Sequence, residues 1–248
     1  MTSRFDLTIT QDPDAVRAAQ GLRHAVFVEE RGQSRPNARP LTEADAFDTD
    51  ADHVILRDKQ APKLGVIATA RLGRGCQYTA QEFDVSALQA TGRPIVELGR
   101  TCLHPAYRGG LAAVTLFTGI LDHLAGQDLG YLIGTASFDG ADPSRHLPAL
   151  RALRATALAP EDLRPVARGP DAVSLDGPVD RLHMRDVPSL IKSYLRAGAW
   201  VGEGAWVDHA FDTVDVCIVL DMARLRLPRA AQLARAGACV AQTTRAEG

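Results

Sequence analysis

The feature that most constrains this chain is the stretch Ile95–Leu103, an apolar, β-prone run with Glu97 and Arg100 inside it. Charges in a central strand are costly unless they are paired or put to use. A fold that accepts this strand must therefore supply partners or a cavity at its middle. Alternation sends Glu97 and Gly99 to one face and Leu98 and Arg100 to the other. Arg71, near the end of the preceding strand-like run, is a candidate ion-pair partner for Glu97. Catalytic groups also sit where charge looks misplaced, so both uses stay open.

Around this strand the chain mixes the two periodicities. Phe5–Thr10 alternates as a strand. Asp12-Pro13 supply an N-cap and a first-turn proline for a helix running to Glu30, where Gly32 stops it. His53–Arg57 and Leu64–Leu72 read as a hairpin, Leu111–Ala125 as an apolar helix and Tyr131–Ala136 as a buried strand. Further on, Pro188–Arg196 reads as a helix, and Ala199–Trp206 and Val214–Leu220 as strands extending the same sheet. Strand, helix, three strands, helix, strand is a mixed α/β order, not the alternation of a doubly wound sheet. No linker or repeat divides the chain, so one domain over residues 1–248 is expected, ending in a basic tail from about residue 221.

Composition excludes several classes. Lys and Arg total 28 against 30 Asp and Glu, a net charge of -2 that marks no nucleic-acid binder. Cys76, Cys102, Cys217 and Cys239 are far apart with no CxxC pair, which predicts neither a disulfide framework nor a zinc site and points to a reducing cytoplasm. No signal peptide or membrane span is read.

Three further groups are candidates for chemistry. Arg23, Phe27 and Glu30 fall on one face of the opening helix, as would a buried Phe beside a solvated charge pair. Glu43, Asp45, Asp48, Asp50 and Asp52 form an acidic run that is either a solvated loop or a surface for a cationic substrate. It lacks the glycine of a helix–loop–helix calcium site. Tyr107-Arg108-Gly109-Gly110 opens the apolar helix, where the backbone amides and helix dipole favour a phosphate.

In this order the motifs resemble the GNAT superfamily of N-acyltransferases, most closely the acyl-carrier-protein-dependent branch that makes lyso-ornithine lipid. The resemblance is carried by LRHAVFVEERG (Leu22–Gly32), AFDTDADHVIL (Ala46–Leu56), IATARL (Ile67–Leu72) and YTAQEFDVSAL (Tyr78–Leu88). It continues through ELGRTCLHPAYRGG (Glu97–Gly110), GTASFDGADP (Gly134–Pro143) and the stretch Leu190–Leu220, so it covers nearly the whole chain. It implies an α/β (α+β) fold, with a mixed, largely antiparallel sheet splayed near Glu97–Arg100, flanked by helices and extended by C-terminal strands.

The resemblance also implies a reaction: transfer of a (3-hydroxy)fatty acyl group from the phosphopantetheine thioester of acyl carrier protein to the α-amine of ornithine. No metal and no tightly bound cofactor are expected. Arg23, Phe27, Asp45, Asp48, Arg71, Glu97 and Arg100 fall where the wider group keeps its substrate-site residues. Glu97 is the candidate base or water-orienting group, and Ser137 a further oxyanion donor. Charge logic gives Asp45 and Asp48 the δ-ammonium and Arg23 or Arg100 the α-carboxylate. Tyr107, Arg108, Gly109 and Gly110 would meet the donor, and a cleft is expected from Arg108 past Glu97 to the acidic loop. In coenzyme-A-using members an Arg/Gln-x-x-Gly-x-Gly/Ala loop binds the pyrophosphate. Here Leu111 stands at the fourth position and Ala113 at the sixth, so the glycine that lets the backbone approach a pyrophosphate is missing, which favours a carrier protein as donor.

Alternatives within enzymes are acylation of another amino acid, such as glutamine, and acyl-homoserine-lactone synthesis. The second needs an aromatic adenine site in a chain only 5% aromatic. A non-catalytic acyl-binding module is the alternative across classes. The tail holds Arg224, Arg226, Arg229, Arg235 and Arg245 and no acid after Asp221 until Glu247. That suggests peripheral contact with an anionic membrane.

Overall fold

Apolar β-branched runs become strands, and segments led by Asp and Pro become helices, in a computed structural model that describes residues 3–30 and 41–226. β1 (Phe5–Thr10) leads into α1 (Pro13–His24), whose N-cap Asp12 accepts from the Ala15 amide at 2.9 Å. The helix does not run on regularly to Glu30: a π-helical turn, Ala25–Glu29, follows it. β2 (Asp52–Asp58) and β3 (Val66–Arg74) form the expected hairpin. Next come α2 (Thr79–Glu82), β4 (Phe83–Asp84), α3 (Ser86–Ala90), β5 (Ile95–Leu103), α4 (Leu111–Leu124) and β6 (Tyr131–Asp139). The rest of the described chain holds α5 (Leu147–Ala157), β7 (Val166–Ala167), β8 (Ala172–Val173), α6 (Ser189–Arg196), β9 (Trp200–Val201), β10 (Ala205–Asp208) and β11 (Thr213–Asp221).

One sheet takes strands from both ends of the described chain, in the order β1-β2-β3-β5-β6-β11-β10-β8, with β9 also on β11. Only the β5–β6 pair is parallel; the other pairings between its strands are antiparallel. Both faces are covered. Val54 and Leu56 of β2 join the core built by Leu116 and Ile120 of α4 and Leu150 of α5, while Ile55 points to Ala19 and Leu22 of α1. Burial on both sides explains why these strands read as nearly continuous apolar runs.

The sheet opens at its one parallel pair. β5 meets β6 only through Ile95, Val96 and Glu97, although both strands continue well beyond. On the other side of β5 the ladder with β3 slips one residue between Thr69 and Arg71, a bulge that leaves Arg100 in the left-handed region at φ 50. The bulge breaks the alternation read from the sequence, and Arg100 joins Glu97 in one cavity. Two further expectations change. Ala199–Trp206 is not one strand but β9 and β10, parted at Gly202–Gly204. The helix stop at Gly32 and the tail beyond residue 226 lie outside the described residues.

At the opening, the Leu98 carbonyl lies where a Cβ on Gly134 would meet it at 2.2 Å. Gly134→Ala must therefore shift backbone, and it should cost about 1–3 kcal/mol in urea unfolding. Gly73→Ala, whose Cβ would find nothing closer than 3.8 Å, should cost clearly less in the same titration.

Candidate active site

The parting of β5 from β6 leaves a cleft of ≈ 230 Å³ walled by residues of eight elements. Phe27 of the π turn, Arg71 of β3, Glu97 and Arg100 of β5, Ser137 of β6, and Asp208 and Asp215 of β10 and β11 all face it.

Beneath one side of this cleft three arginines and three carboxylates close a ring. Arg23 binds Glu43 and, at 2.7 Å, Asp48; Asp48 accepts from Arg71 at 2.9 Å; Arg71 also binds Asp45. Asp45 accepts from Arg100 at 2.8 Å, and Arg100 returns to Glu43 at 3.1 Å. Arg23 is only 1% exposed and Asp48 8%. Burial alone would raise the Asp48 carboxyl, but Arg23 and Arg71 outweigh it and hold it at about 2. Asp45 also caps the turn Ala46–Asp48, accepting from the Phe47 amide, so the acidic loop is fixed at both its backbone and its charges.

This pairing changes the reading of the acidic run. Asp45 and Asp48 face guanidiniums already in place, and Asp50 is exposed away from them. Arg23 does not line the cleft, and Arg23, Phe27 and Glu30 do not act as one face: Arg23 enters the ring, Phe27 the cleft, and Glu30 binds Arg108. Arg71 is not a partner of Glu97. The Glu97 carboxylate, 7% exposed, accepts instead from the amides of Tyr78 at 3.0 Å and Thr79 at 2.5 Å. Each oxygen keeps a second lone pair for a substrate or a water.

Aromatic rings shape the rest. The Arg100 guanidinium lies 4.6 Å from the Tyr78 ring and 4.9 Å from that of Phe211, which meets Phe27 edge-on. Burial pushes the Tyr78 hydroxyl up to about 12. The donor segment stands apart: Tyr107 donates to Asp58, and Arg108 clasps Glu30, so the cleft does not reach Arg108. Gly109 has φ +70, and Gly110 is the N-cap of α4.

Sequence reasoning missed Glu82, Asp208 and Asp215, a cluster of acids each less than 6% exposed, of which Asp208 and Asp215 line this cleft. Asp215 carries the signal that singled out Glu97, an acid inside an apolar strand. No helix among the described residues is long and apolar enough to cross a membrane.

Residues 22–118 match the acetyltransferase (GNAT) domain model. The chain is 39% identical over 232 residues to an L-ornithine N(alpha)-acyltransferase of Rhodobacter capsulatus, covering 88% of this chain and 90% of the relative. A protein of the same name from Brucella abortus is 34% identical, over 89% of this chain and 85% of its own length. The chain belongs to the L-ornithine N(alpha)-acyltransferase family. A solved CoA-dependent acyl-homoserine lactone synthase, BjaI, aligns with a TM-score of 0.49 at 14% identity, over 89% of this chain and 79% of that one. As a member of the L-ornithine N(alpha)-acyltransferases the chain is an enzyme, an acyltransferase, and the cleft over the arginine ring is its candidate active site.

Asp48→Asn leaves two buried arginines short of a charge, and should cost about 3 kcal/mol in urea unfolding at pH 7. The folded-state value of about 2 lies below the ordinary carboxylate value. The stability it contributes is therefore full above about pH 4 and is lost as pH falls through about 2. The variant should show a shallower loss of stability across that window than the wild type.

Proposed function

We propose that the protein moves a fatty acyl group from the phosphopantetheine thioester of acyl carrier protein to the α-amine of ornithine. The observation that carries this reading is the Glu97 carboxylate, held by two backbone amides in the wall of the cleft where β5 and β6 part. A thioester is already activated, so the protein must supply alignment, a proton acceptor and oxyanion stabilisation. Glu97 takes the proton of the attacking amine, directly or through a water. The β5 backbone beyond Glu97 has lost its β6 partner and, with the Ser137 hydroxyl, faces the tetrahedral oxyanion. An α-amine near ~8 yields its proton more readily than a lysine-like amine near ~10.4, which favours the α-position. Arg100, in the cleft wall and flanked by Tyr78 and Phe211, is the group for the α-carboxylate.

The donor reading rests on Leu111, which stands where coenzyme-A-using members carry the glycine of the pyrophosphate loop. A carrier protein presents one phosphate and no adenosine, so it asks less of the Tyr107–Gly110 loop at the start of α4. A cytoplasmic enzyme touching an anionic membrane through its basic C-terminal residues fits a lipid product.

Ornithine-dependent release of free thiol from 3-hydroxyacyl carrier protein tests the reaction. Wild-type enzyme should prefer this donor to acyl-coenzyme A by at least tenfold in kcat/KM. Glu97→Gln, with an unchanged thermal melt, should lose on the order of 10²-fold in kcat. Equal use of the two donors would remove the carrier-protein assignment, and full turnover by Glu97→Gln across pH would remove the base.

A further inference from the structure

The cleft has a second charged region that the arginine ring does not touch. Glu82 ends α2, Asp208 ends β10 and Asp215 lies on β11, and one carboxylate oxygen of each falls within 4.8 Å of the others. Asp208 and Asp215 stand in the cleft wall with Thr79 and Thr213. Glu82 is 3% exposed, Thr79 0% and Thr213 2%, yet Glu82 Oε2 and both threonine hydroxyls lack a hydrogen-bond partner. Buried polar atoms are nearly always satisfied, so two unsatisfied hydroxyls in the cleft wall and an unsatisfied carboxyl oxygen of Glu82, beside Asp208 and Asp215, mark a place for a ligand. Two oxygens of this group, on Glu82 and Asp208, already differ in duty: Asp208 Oδ1 accepts from the amides of Ala210 and Phe211, while Glu82 Oε2 has nothing to accept from.

Charge says which ligand. The ring's three guanidiniums and three carboxylates cancel, and the other charged side chains of the cleft wall, Glu97, Asp208 and Asp215, are all acidic. Burial, then Asp215 and Asp208, push the Glu82 carboxyl up to about 9, so it keeps its proton at neutral pH until a cation arrives. An ammonium offers three donors and no acceptor. Three acceptors at about 2.9 Å from one nitrogen, in tetrahedral directions, stand about 4.7 Å apart, a spacing these carboxylates can adopt.

We propose that Glu82, Asp208 and Asp215 bind the side-chain ammonium of the acceptor amino acid and so select a diamino acid. The proposal rests on the acyl-transfer reading above. It also accounts for regiochemistry: an ω-nitrogen held protonated among carboxylates has no lone pair for the thioester, so attack falls to the α-amine beside Glu97.

The test compares kcat/KM for ornithine and for norvaline, the same carbon chain without the ω-amine, with 3-hydroxyacyl carrier protein as donor. Glu82→Gln replaces an acid that is already neutral in the free enzyme, which favours retention of the fold; Asp215→Asn is the second variant. Each variant should lower the ornithine-to-norvaline ratio at least tenfold. Both rates come from one preparation, so the ratio is independent of the fraction folded. An unchanged ratio, or a wild type that uses norvaline as well as ornithine, overturns the ammonium site and leaves the acyl transfer standing. Loss of ornithine turnover to a chelator with recovery on adding Mg²⁺ gives the cluster to a metal and overturns it too. A wild type that releases no thiol with any amino acid removes the acyl-transfer reading, and this proposal with it.

Discussion

A closed ring of three arginines and three carboxylates holds this site together. Arg23 comes from α1, Glu43, Asp45 and Asp48 from the loop before β2, Arg71 from β3 and Arg100 from β5. Each charge is largely withdrawn from water, so each is tolerable only while its neighbours are in place. The ring therefore fixes four chain segments relative to one another more firmly than apolar contact would. It also bears the bulge on β5. A non-glycine residue in the left-handed region costs about 1–2 kcal/mol, and Arg100 holds it because the guanidinium then reaches Glu43 and Asp45.

Neutrality of the ring governs what the cleft above it can attract. Arg23, Asp45, Asp48, Arg71 and Arg100, which a linear reading would offer to a substrate, are engaged with one another and with Glu43, which leaves the Arg100 side chain 11% exposed and that of Arg71 4%. The remaining charge of the wall is negative and lies on Glu97 and the β10–β11 hairpin. Framework and recognition are thus separated. The ring shapes the cavity, and the acids outside it, Glu97, Asp208 and Asp215, set the sign of the acceptor.

Much of this was legible in the sequence. The limits of β5 and α4 and the start of β6 follow from apolar runs that must be buried on two faces, although β6 runs on past Ala136 to Asp139, and the odd charges Glu97 and Arg100 mark the middle of the sheet. The residues Arg23, Asp45, Asp48, Arg71 and Arg100 were legible as a set, but not their mutual pairing, because that depends on four segments meeting in space. The π turn after α1 and the bulge at Arg100 each insert one residue into a regular pattern, and no local composition announces either. α5 was missed because Pro143 and Pro148 and a run of short turns around it read as punctuation. Glu82 was missed because its neighbours look like an ordinary short helix, and only the fold carries it to the end of β10.

A structure of the protein with ornithine bound is the most direct test of this division between framework and recognition. The expected result keeps all six contacts of the ring, puts the δ-nitrogen within hydrogen-bond distance of Glu82, Asp208 and Asp215, and turns the α-amine toward Glu97. An ornithine whose ammonium lies on Asp45 or Asp48, with Arg71 or Arg100 displaced, would contradict it.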